Sequence, residues 1–261
     1  MTDKIITEQS GDIARVIFNQ PEKRNAVSLE MWEAVEAAVA RFSEDPGVRI
    51  LILSGAGGKA FVSGADVSKF ESERASEEGV AHYNATTKRV YDMIEAFPKP
   101  TIAQIDGFCI GGGVALALCC DIRLCGQSSQ FAIPAAKLGL GYGYPGIKRL
   151  VDVVGPSFAK EIFFTARRFD AEEARTMGLV NRVVEDGKVE EAANEMAAAI
   201  AGNAPMTVAS VKYIVGETLK DESARDLAEC ERRVKECFDS KDYIEGRRAF
   251  LEKRKPQFVG A

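Results

Sequence analysis

The chain has 261 residues, of which 46% are hydrophobic and 28% are charged, an ordinary composition for a globular protein of one large domain or of one domain with an appendage. Its net charge of −5 excludes the basic surface that nucleic acid or an anionic membrane requires of a partner. The six cysteines show no metal-ligand spacing, and the chain has neither a signal segment nor an apolar run of membrane-spanning length. We therefore expect a cytoplasmic protein without a bound metal.

The first part of the chain alternates between strand and helix patterns. Residues 4–7 and 13–18 predict two paired strands around the Ser10-Gly11-Asp12 turn. Apolar side chains then recur at helical spacing from about Ser28, and residues 48–53 form the next apolar, β-branched run. Strand, helix and strand in this order indicate an α/β fold.

A first glycine-rich turn follows at residues 54–67. Its last part, Ser63-Gly64-Ala65-Asp66, leads into a predicted helix for which Asp66 is a suitable N-cap. Residues 68–81 are polar and only weakly periodic, and we interpret them as a cover segment that precedes a helix near residues 82–96.

A second glycine-rich turn lies at residues 106–113, between a predicted buried strand at residues 100–105 and a predicted buried helix at residues 114–120. Its three consecutive glycines leave the N–H groups of a helix start unshielded, and such groups favour an anion or an oxygen that becomes one. If the two turns converge, they form an oxyanion hole with two donors. The alternative is a packing turn that needs glycine only for space.

The remaining chain begins with a short strand at residues 122–125 and a segment rich in glycine and proline at residues 131–150. Residues 156–165 predict a helix, and residues 170–181 predict a capped short helix, a glycine stop and a strand. From about residue 187 onward the pattern is helical almost to the end.

With both glycine turns in place, the chain resembles the crotonase superfamily (enoyl-CoA hydratase/isomerase) over essentially its whole length. The motifs that carry the resemblance are Asn19-Gln20-Pro21 with Arg24-Asn25-Ala26, Phe61-Val62-Ser63-Gly64-Ala65-Asp66, Gly107-Phe108-Cys109-Ile110-Gly111-Gly112-Gly113 with Cys120-Asp121-Ile122, Ala174 with Met177-Gly178-Leu179-Val180, and Ala249-Phe250-Leu251-Glu252-Lys253-Arg254-Lys255-Pro256. Each motif is weak alone, but five in this order are specific.

The resemblance implies a spiral of ββα units over residues 1–200 and a helical C-terminal region over residues 201–261. In the family this second region packs against neighbouring subunits in a trimer, which is often doubled to a hexamer. The implied substrate is an acyl-CoA thioester of fatty acid metabolism. Coenzyme A enters as part of that substrate, and no separate cofactor is implied.

The resemblance also assigns site residues. The backbone N–H groups of Ala65 and Gly112 would hold the thioester oxygen. Contacts to the CoA portion would come from Lys23, Arg24, Ala26, Ser63, Asp66 and Val67, with Lys23 and Arg24 placed near its phosphates. From the last helix, Phe250 and Lys253 would reach the nucleotide end across a subunit boundary. The alternatives are an interface or core aromatic for Phe250 and plain surface charge for Lys253.

The chain departs from the family's hydratases at two positions. The resemblance places their two catalytic glutamates at Ala115 and Ala135 of this chain, and alanine cannot act as a general acid or base. Residues 108–120 and 126–151 contain no acid at all, and Gly143, Tyr144 and Pro145 occupy the places of other family carboxylates. Hydration by the family mechanism is therefore not expected.

An oxyanion hole alone suffices for a substrate that supplies its own electron pair, as a malonyl-type thioester does when it loses CO₂. The segment Leu138-Gly139-Leu140-Gly141-Tyr142 resembles that of family decarboxylases, which carry a tyrosine at this place, so we count Tyr142 among the catalytic residues. Those decarboxylases have a histidine where this chain has Ala65. The alternative for Tyr142 is an aromatic ring that lines an apolar acyl pocket.

Other readings are weaker. A crotonase-fold scaffold that binds acyl-CoA without chemistry is the main alternative. A serine hydrolase built on Ser63 and His82 lacks the G-x-S-x-G elbow, and a surface position is the simpler reading of His82. Glu71 and Glu73 of the cover segment could swing toward the site, and Lys137 could meet a carboxylate of the substrate.

Overall fold

The computed structural model describes residues 2–69, 73 and 75–261. Ten strands form two sheets among these residues. The strands are β1 (Ile5–Ser10), β2 (Ile13–Phe18), β3 (Ile50–Gly55), β4 (Ala60–Val62), β5 (Thr101–Ile105), β6 (Phe108–Ile110), β7 (Ile122–Gly126), β8 (Gln130–Ala132), β9 (Phe169–Asp170) and β10 (Arg182–Val184).

The longer helices of the described residues lie between and after these strands. They are α1 (Leu29–Glu44), α2 (Glu77–Glu95), α3 (Gly112–Leu118), α4 (Tyr144–Thr165), α5 (Ala171–Thr176), α6 (Val189–Ala201), α7 (Pro205–Thr218), α8 (Leu227–Asp239) and α9 (Lys241–Glu252). None of them is long and apolar enough to cross a membrane.

The larger sheet has the strand order β1-β2-β3-β5-β7-β10 and is parallel except for the β1–β2 hairpin. Its central strands are buried on both faces. In β3, for example, successive side chains point to opposite faces of the sheet and pack into two different cores. Leu51 and Leu53 face the main core, whereas Ile50 and Ile52 pack against Ala193 and other apolar residues of α6.

The smaller sheet has the order β4-β6-β8-β9, in which β4, β6 and β8 are parallel. The chain passes repeatedly from the large sheet to the small one and returns through a helix, so the mixed α/β architecture expected from the sequence is confirmed. The division near residue 200 into a core and a C-terminal helical region stays a prediction.

The structure corrects the predicted path through the second glycine turn. The sequence predicts a strand at residues 100–105 and a single turn at residues 106–113. The strand β5 ends at Ile105 as expected, but a separate strand, β6, begins at Phe108 within the predicted turn and belongs to the other sheet. The change of direction falls at Gly107, which has a φ of +69° and lies so close to Lys59 that a Cβ would stand 2.1 Å from its carbonyl oxygen. Only glycine fits there.

Two predicted helices differ in extent. The helix expected at residues 156–165 begins earlier, at Tyr144, and is interrupted at Gly155, where φ is +75°. The described part of the helix expected after Asp66 is a 3₁₀ turn, Val67–Lys69, in which the Asp66 carboxylate accepts a hydrogen bond from the Ser68 N–H at 3.1 Å. The rest of that predicted helix and Glu71 of the cover segment fall at residues 70–72 and 74, outside the described residues.

Candidate active site

The two glycine turns lie side by side at the same edge of the smaller sheet. Since β4 and β6 are parallel neighbours, the chain leaves both at the same end and enters the turns that carry Ala65 and Gly112. A Cβ built on Gly64 would stand 4.0 Å from the nitrogen of Gly112, and one built on Gly112 would stand 3.8 Å from the Cα of Gly64. The convergence on which an oxyanion hole depends is therefore present.

Each turn presents a backbone N–H that forms no hydrogen bond with the described residues. Ala65 forms a parallel bridge with Val27, but the bonds of that bridge run through the oxygen of Gly64 and the nitrogen of Asp66. Gly112 is the first residue of α3, where an N–H has no partner inside the helix. The two N–H groups can therefore bind one oxygen from a ligand, and the α3 dipole favours negative charge on it.

Backbone conformations that only glycine adopts with ease shape both turns. Gly64 has a φ of +106°, and Gly111, which precedes α3, has a φ of +55° with a ψ of −111°. Gly113 serves a different purpose, because a Cβ there would stand 2.0 Å from the carbonyl oxygen of Val62. The start of α3 thus touches the backbone of β4, which fixes one turn against the other.

A network of hydrogen bonds joins the first turn to the Asn19–Ala26 segment of the resemblance. The N–H of Ser63 donates to the carbonyl of Arg24 at 3.2 Å, and the Lys23 ammonium donates to the Asp66 carboxylate at 2.8 Å. Lys23 also donates to Ser68, so its charge is already paired within the chain. Ala26, next to this network, donates its N–H to the carbonyl of Lys23.

Arg24 adopts a left-handed backbone conformation, with a φ of +53°, and its guanidinium carbon lies 4.8 Å from the centre of the Phe108 ring. Arg168, which the sequence analysis did not single out, lies 5.3 Å from the centre of the same ring. Val67 is exposed over 71% of its surface. These placements do not test the expected CoA contacts of Arg24, Ala26, Ser63 and Val67, which stay predictions.

Phe250 and Lys253 lie apart from this cluster, at the end of α9. Phe250 is exposed over 84% of its surface and borders a groove formed with α7 and α8, and Lys253 caps α9 in a left-handed conformation. Within one chain they do not join the two glycine turns, so the contact across a subunit boundary stays a prediction.

The Asp66 carboxylate carries a large pKa shift. Burial by itself would raise its pKa, but hydrogen bonds from Lys23, Ser68 and Gln20 outweigh that effect and lower the pKa to about 2. Asp66 is therefore a structural anion that holds the Ala65 turn, and it is a poor general base near neutral pH.

We expect Asp66→Asn to lower the free energy of unfolding at pH 7 by on the order of 2 kcal/mol. Because the folded pKa lies below the unfolded value of 3.8, the stabilisation is complete above about pH 4 and is lost as the pH falls through 2. Urea unfolding of both proteins at pH 7 and at pH 2.5 measures this, with the exposed Glu8→Gln as control. Equal stability of wild type and Asp66→Asn at pH 7 would contradict it.

The two alanines that the resemblance places at the hydratase positions are buried. Ala115 lies in α3 one turn after Gly112, and Ala135 lies in a 3₁₀ helix, Pro134–Leu138, beyond β8. The carboxylate of Glu73, which the sequence analysis considered as a substitute, instead accepts a hydrogen bond from the N–H of Leu29 at 3.1 Å, where it caps α1. His82 lies on the exposed part of α2, 3.5 Å from Glu33.

Tyr142 lies beside this region, half-buried at the entrance to α4. Its ring packs edge-on against Phe163 with 4.9 Å between the centroids. Burial raises its pKa, so the phenol stays neutral throughout the physiological range.

A second phenol, Tyr91 of α2, was missed by the sequence analysis. Its hydroxyl donates to the carbonyl oxygen of Gly112 at 3.2 Å, and its ring stacks edge-on against Trp32. Burial, with a further contribution from Tyr142, raises its pKa well above the usual value. An aromatic on a helix looks like any core residue in a sequence, so no local signal could have identified it.

No three metal-binding side chains (His, Cys, Asp or Glu) come together within the described part of the chain, so these residues offer no metal centre. Among the described residues, the turns offer two backbone donors and the neutral phenol of Tyr91, with Tyr142 nearby.

Comparison with known proteins identifies the family of the chain. The family model for enoyl-CoA hydratase/isomerase matches residues 8–261. The chain is 34% identical over 257 residues to crotonyl-CoA hydratase of Syntrophomonas wolfei, which covers 98% of each chain, and 35% identical over 253 residues to short-chain-enoyl-CoA hydratase of Clostridium acetobutylicum, which covers 97% of this chain and 96% of that protein. A solved structure of an enoyl-CoA hydratase/carnithine racemase from Magnetospirillum magneticum superposes with a TM-score of 0.92 at 38% identity, over 100% of this chain and 97% of that one.

The fold and the paired glycine turns define an α/β protein of the crotonase type. The chain belongs to the enoyl-CoA hydratase/isomerase family.

Proposed function

We propose that this protein is a lyase that binds an acyl-CoA thioester, holds its enolate oxygen on the N–H groups of Ala65 and Gly112, and forms that enolate by decarboxylation or C–C cleavage of the acyl group. One observation carries the proposal. The two glycine turns converge, whereas the face of α3 beside them carries Ala115, and the phenol of Tyr91 from α2 lies against Gly112.

Decarboxylation fits these groups because it needs no base. The bond between Cα and the carboxylate breaks, its electron pair forms the enolate, and CO₂ leaves. Each backbone donor at the enolate oxygen contributes roughly 3 kcal/mol to the transition state. The reaction needs no cofactor beyond the CoA of the substrate.

Tyr142 suits the carboxylate end of such a substrate. A neutral phenol can donate a hydrogen bond to a carboxylate without adding a charge that would hold it back from leaving as CO₂. In this account Tyr142 orients the carboxylate above the thioester plane.

We expect Tyr142→Phe to lower kcat/KM for a malonyl-type CoA ester by roughly 10- to 100-fold, the value of one hydrogen bond to a charged group. Tyr144→Phe is the matched control, since Tyr144 is two residues away and 76% exposed, and its change should stay within about twofold. Release of labelled CO₂ from the carboxyl-labelled ester measures both rates. A Tyr142→Phe variant that keeps the wild-type rate would contradict the role given to Tyr142.

The trimer or dimer of trimers implied by the resemblance belongs to this proposal as well. The last helices, α7 to α9, border a groove of about 770 Å³ and expose large apolar side chains, among them Phe238, Phe250 and Leu251. A second copy of the chain would cover these side chains and bring Phe250 and Lys253 to its CoA site.

Hydration is the second candidate, because the relatives at 34% and 35% identity are named hydratases. It would require an acid from outside the described network, and Glu71 of the cover segment is the first to change if hydration is found.

A further inference from the structure

Tyr91 lies at the point where the two glycine turns meet. The position that a Cβ on Gly112 would occupy is 3.4 Å from the Tyr91 hydroxyl oxygen and 3.8 Å from the Cα of Gly64. The hydroxyl therefore lies against Gly112, on the side that the missing side chain leaves open, and Gly64 of the other turn borders the same space.

The face of α3 that begins at Gly112 continues through Ala115 to Cys119. Residues three and four apart lie on one side of a helix, and the Cys119 thiol donates back to the carbonyl of Ala115 at 3.2 Å. Tyr91 is bonded at the Gly112 end of this face, and Tyr142 interacts electrostatically with both Cys119 and Tyr91. Tyr91 thus lies at the start of the α3 face that carries Ala115, one of the two positions at which the resemblance places a hydratase glutamate.

Arg149 fixes this arrangement from the α4 side. Its guanidinium bridges Asp92 at 2.8 Å and Glu95 at 2.7 Å, both in the last turn of α2, and lies 5.9 Å from the centre of the Tyr91 ring. The helix that carries Tyr91 is in this way held against the helix that follows Tyr142.

We propose that Tyr91 is the catalytic acid that delivers a proton to Cα of the enolate. This rests on the proposed function, to which it adds the proton source. After CO₂ has left, the Tyr91 hydroxyl turns from the Gly112 carbonyl, the electron pair of the enolate returns to Cα and takes the hydroxyl proton, and the thioester carbonyl re-forms. Water then returns a proton to the phenolate, and the hydroxide that remains combines with the released CO₂ as bicarbonate. A phenol that is neutral before the reaction can give a proton but cannot remove one.

Proton delivery by a fixed group reaches one face of a planar enolate, whereas water reaches both. We therefore use a methyl-branched malonyl-type CoA ester in D₂O and determine the configuration of the deuterated product. Wild type should give a single configuration, and Tyr91→Phe should give both in similar amounts while it still releases CO₂ at more than about a tenth of the wild-type rate. Tyr83→Phe is the matched control, because Tyr83 lies two turns earlier on α2 and its hydroxyl accepts from the Trp32 indole at 3.1 Å.

A single product configuration from Tyr91→Phe overturns the proposal, and so does a mixture from wild type or from Tyr83→Phe. Hydration of a 2-methyl-2-enoyl-CoA ester also ends with protonation of Cα. An assay with this second ester therefore tests Tyr91 as the acid separately from decarboxylation as the reaction. If the protein hydrates the enoyl ester, does not decarboxylate the malonyl-type ester, and loses stereospecificity only in Tyr91→Phe, then the proposed decarboxylation is wrong and Tyr91 is still the acid. If decarboxylation occurs and stays stereospecific in Tyr91→Phe, the proposed reaction stands and Tyr91 is not the acid. A wild-type protein that converts neither ester contradicts both proposals.

Discussion

Replacing Gly112 by proline is expected to lower kcat for an acyl-CoA ester by about 10²- to 10³-fold, because it removes one of the two N–H donors at the oxyanion. Gly112 is the first residue of α3, the helix position that tolerates proline best, since its N–H takes no part in the helix. The variant should therefore fold, which circular dichroism and thermal unfolding would establish before the assay.

Gly112→Ala is the matched control for this variant. It keeps the N–H, and its Cβ would make only ordinary contacts of 3.4 Å with Tyr91 and 3.8 Å with Gly64. We expect a loss of less than about tenfold for alanine. A folded Gly112→Pro protein with wild-type turnover would show that Gly112 is not an oxyanion donor.

A substitution at the neighbouring glycine, Gly113, is expected to lower the stability of the protein. Gly113→Ala would place a Cβ 2.0 Å from the carbonyl oxygen of Val62, and neither α3 nor β4 can withdraw without loosening the main core. We expect the free energy of unfolding to fall by roughly 3 kcal/mol, at the upper end of overpacking costs. Urea unfolding followed by circular dichroism measures the change.

Gly216→Ala provides the comparison within a helix. A Cβ on Gly216 meets nothing within 4 Å, so alanine there should raise stability by about 0.5–1 kcal/mol through helix propensity. If Gly113→Ala were as stable as wild type, the close contact between α3 and β4 would be wrong.

Local sequence patterns were sufficient for the α/β class, and family motifs were sufficient for the family. Glycine and helix-start signals depend on the backbone conformation of a few adjacent residues, so the turns at Gly64 and Gly111 could be recognised in the sequence. That these turns meet follows from the pairing of β4 with β6, which is a long-range contact. From the sequence, the meeting of the two turns could be stated only as a condition for an oxyanion hole, and the structure shows that the turns do meet.

The features that sequence analysis missed have a common physical cause. The separate strand β6 is three residues long and is defined by its partners β4 and β8. The location of Tyr91 depends on the packing of α2 against α3, which no spacing along the chain encodes. The pairing of Lys23 with Asp66 likewise joins residues 43 positions apart.

The central claim is that this protein makes an enolate by loss of CO₂ and does not add water. We would mix the purified protein with malonyl-, methylmalonyl- and crotonyl-CoA and follow each ester by mass spectrometry, with Gly112→Pro in parallel. We predict that a malonyl-type ester loses the mass of CO₂, that crotonyl-CoA is unchanged, and that Gly112→Pro releases CO₂ about 10²- to 10³-fold more slowly than wild type. Gain of the mass of water by crotonyl-CoA, without loss of CO₂ from either malonyl-type ester, would contradict it.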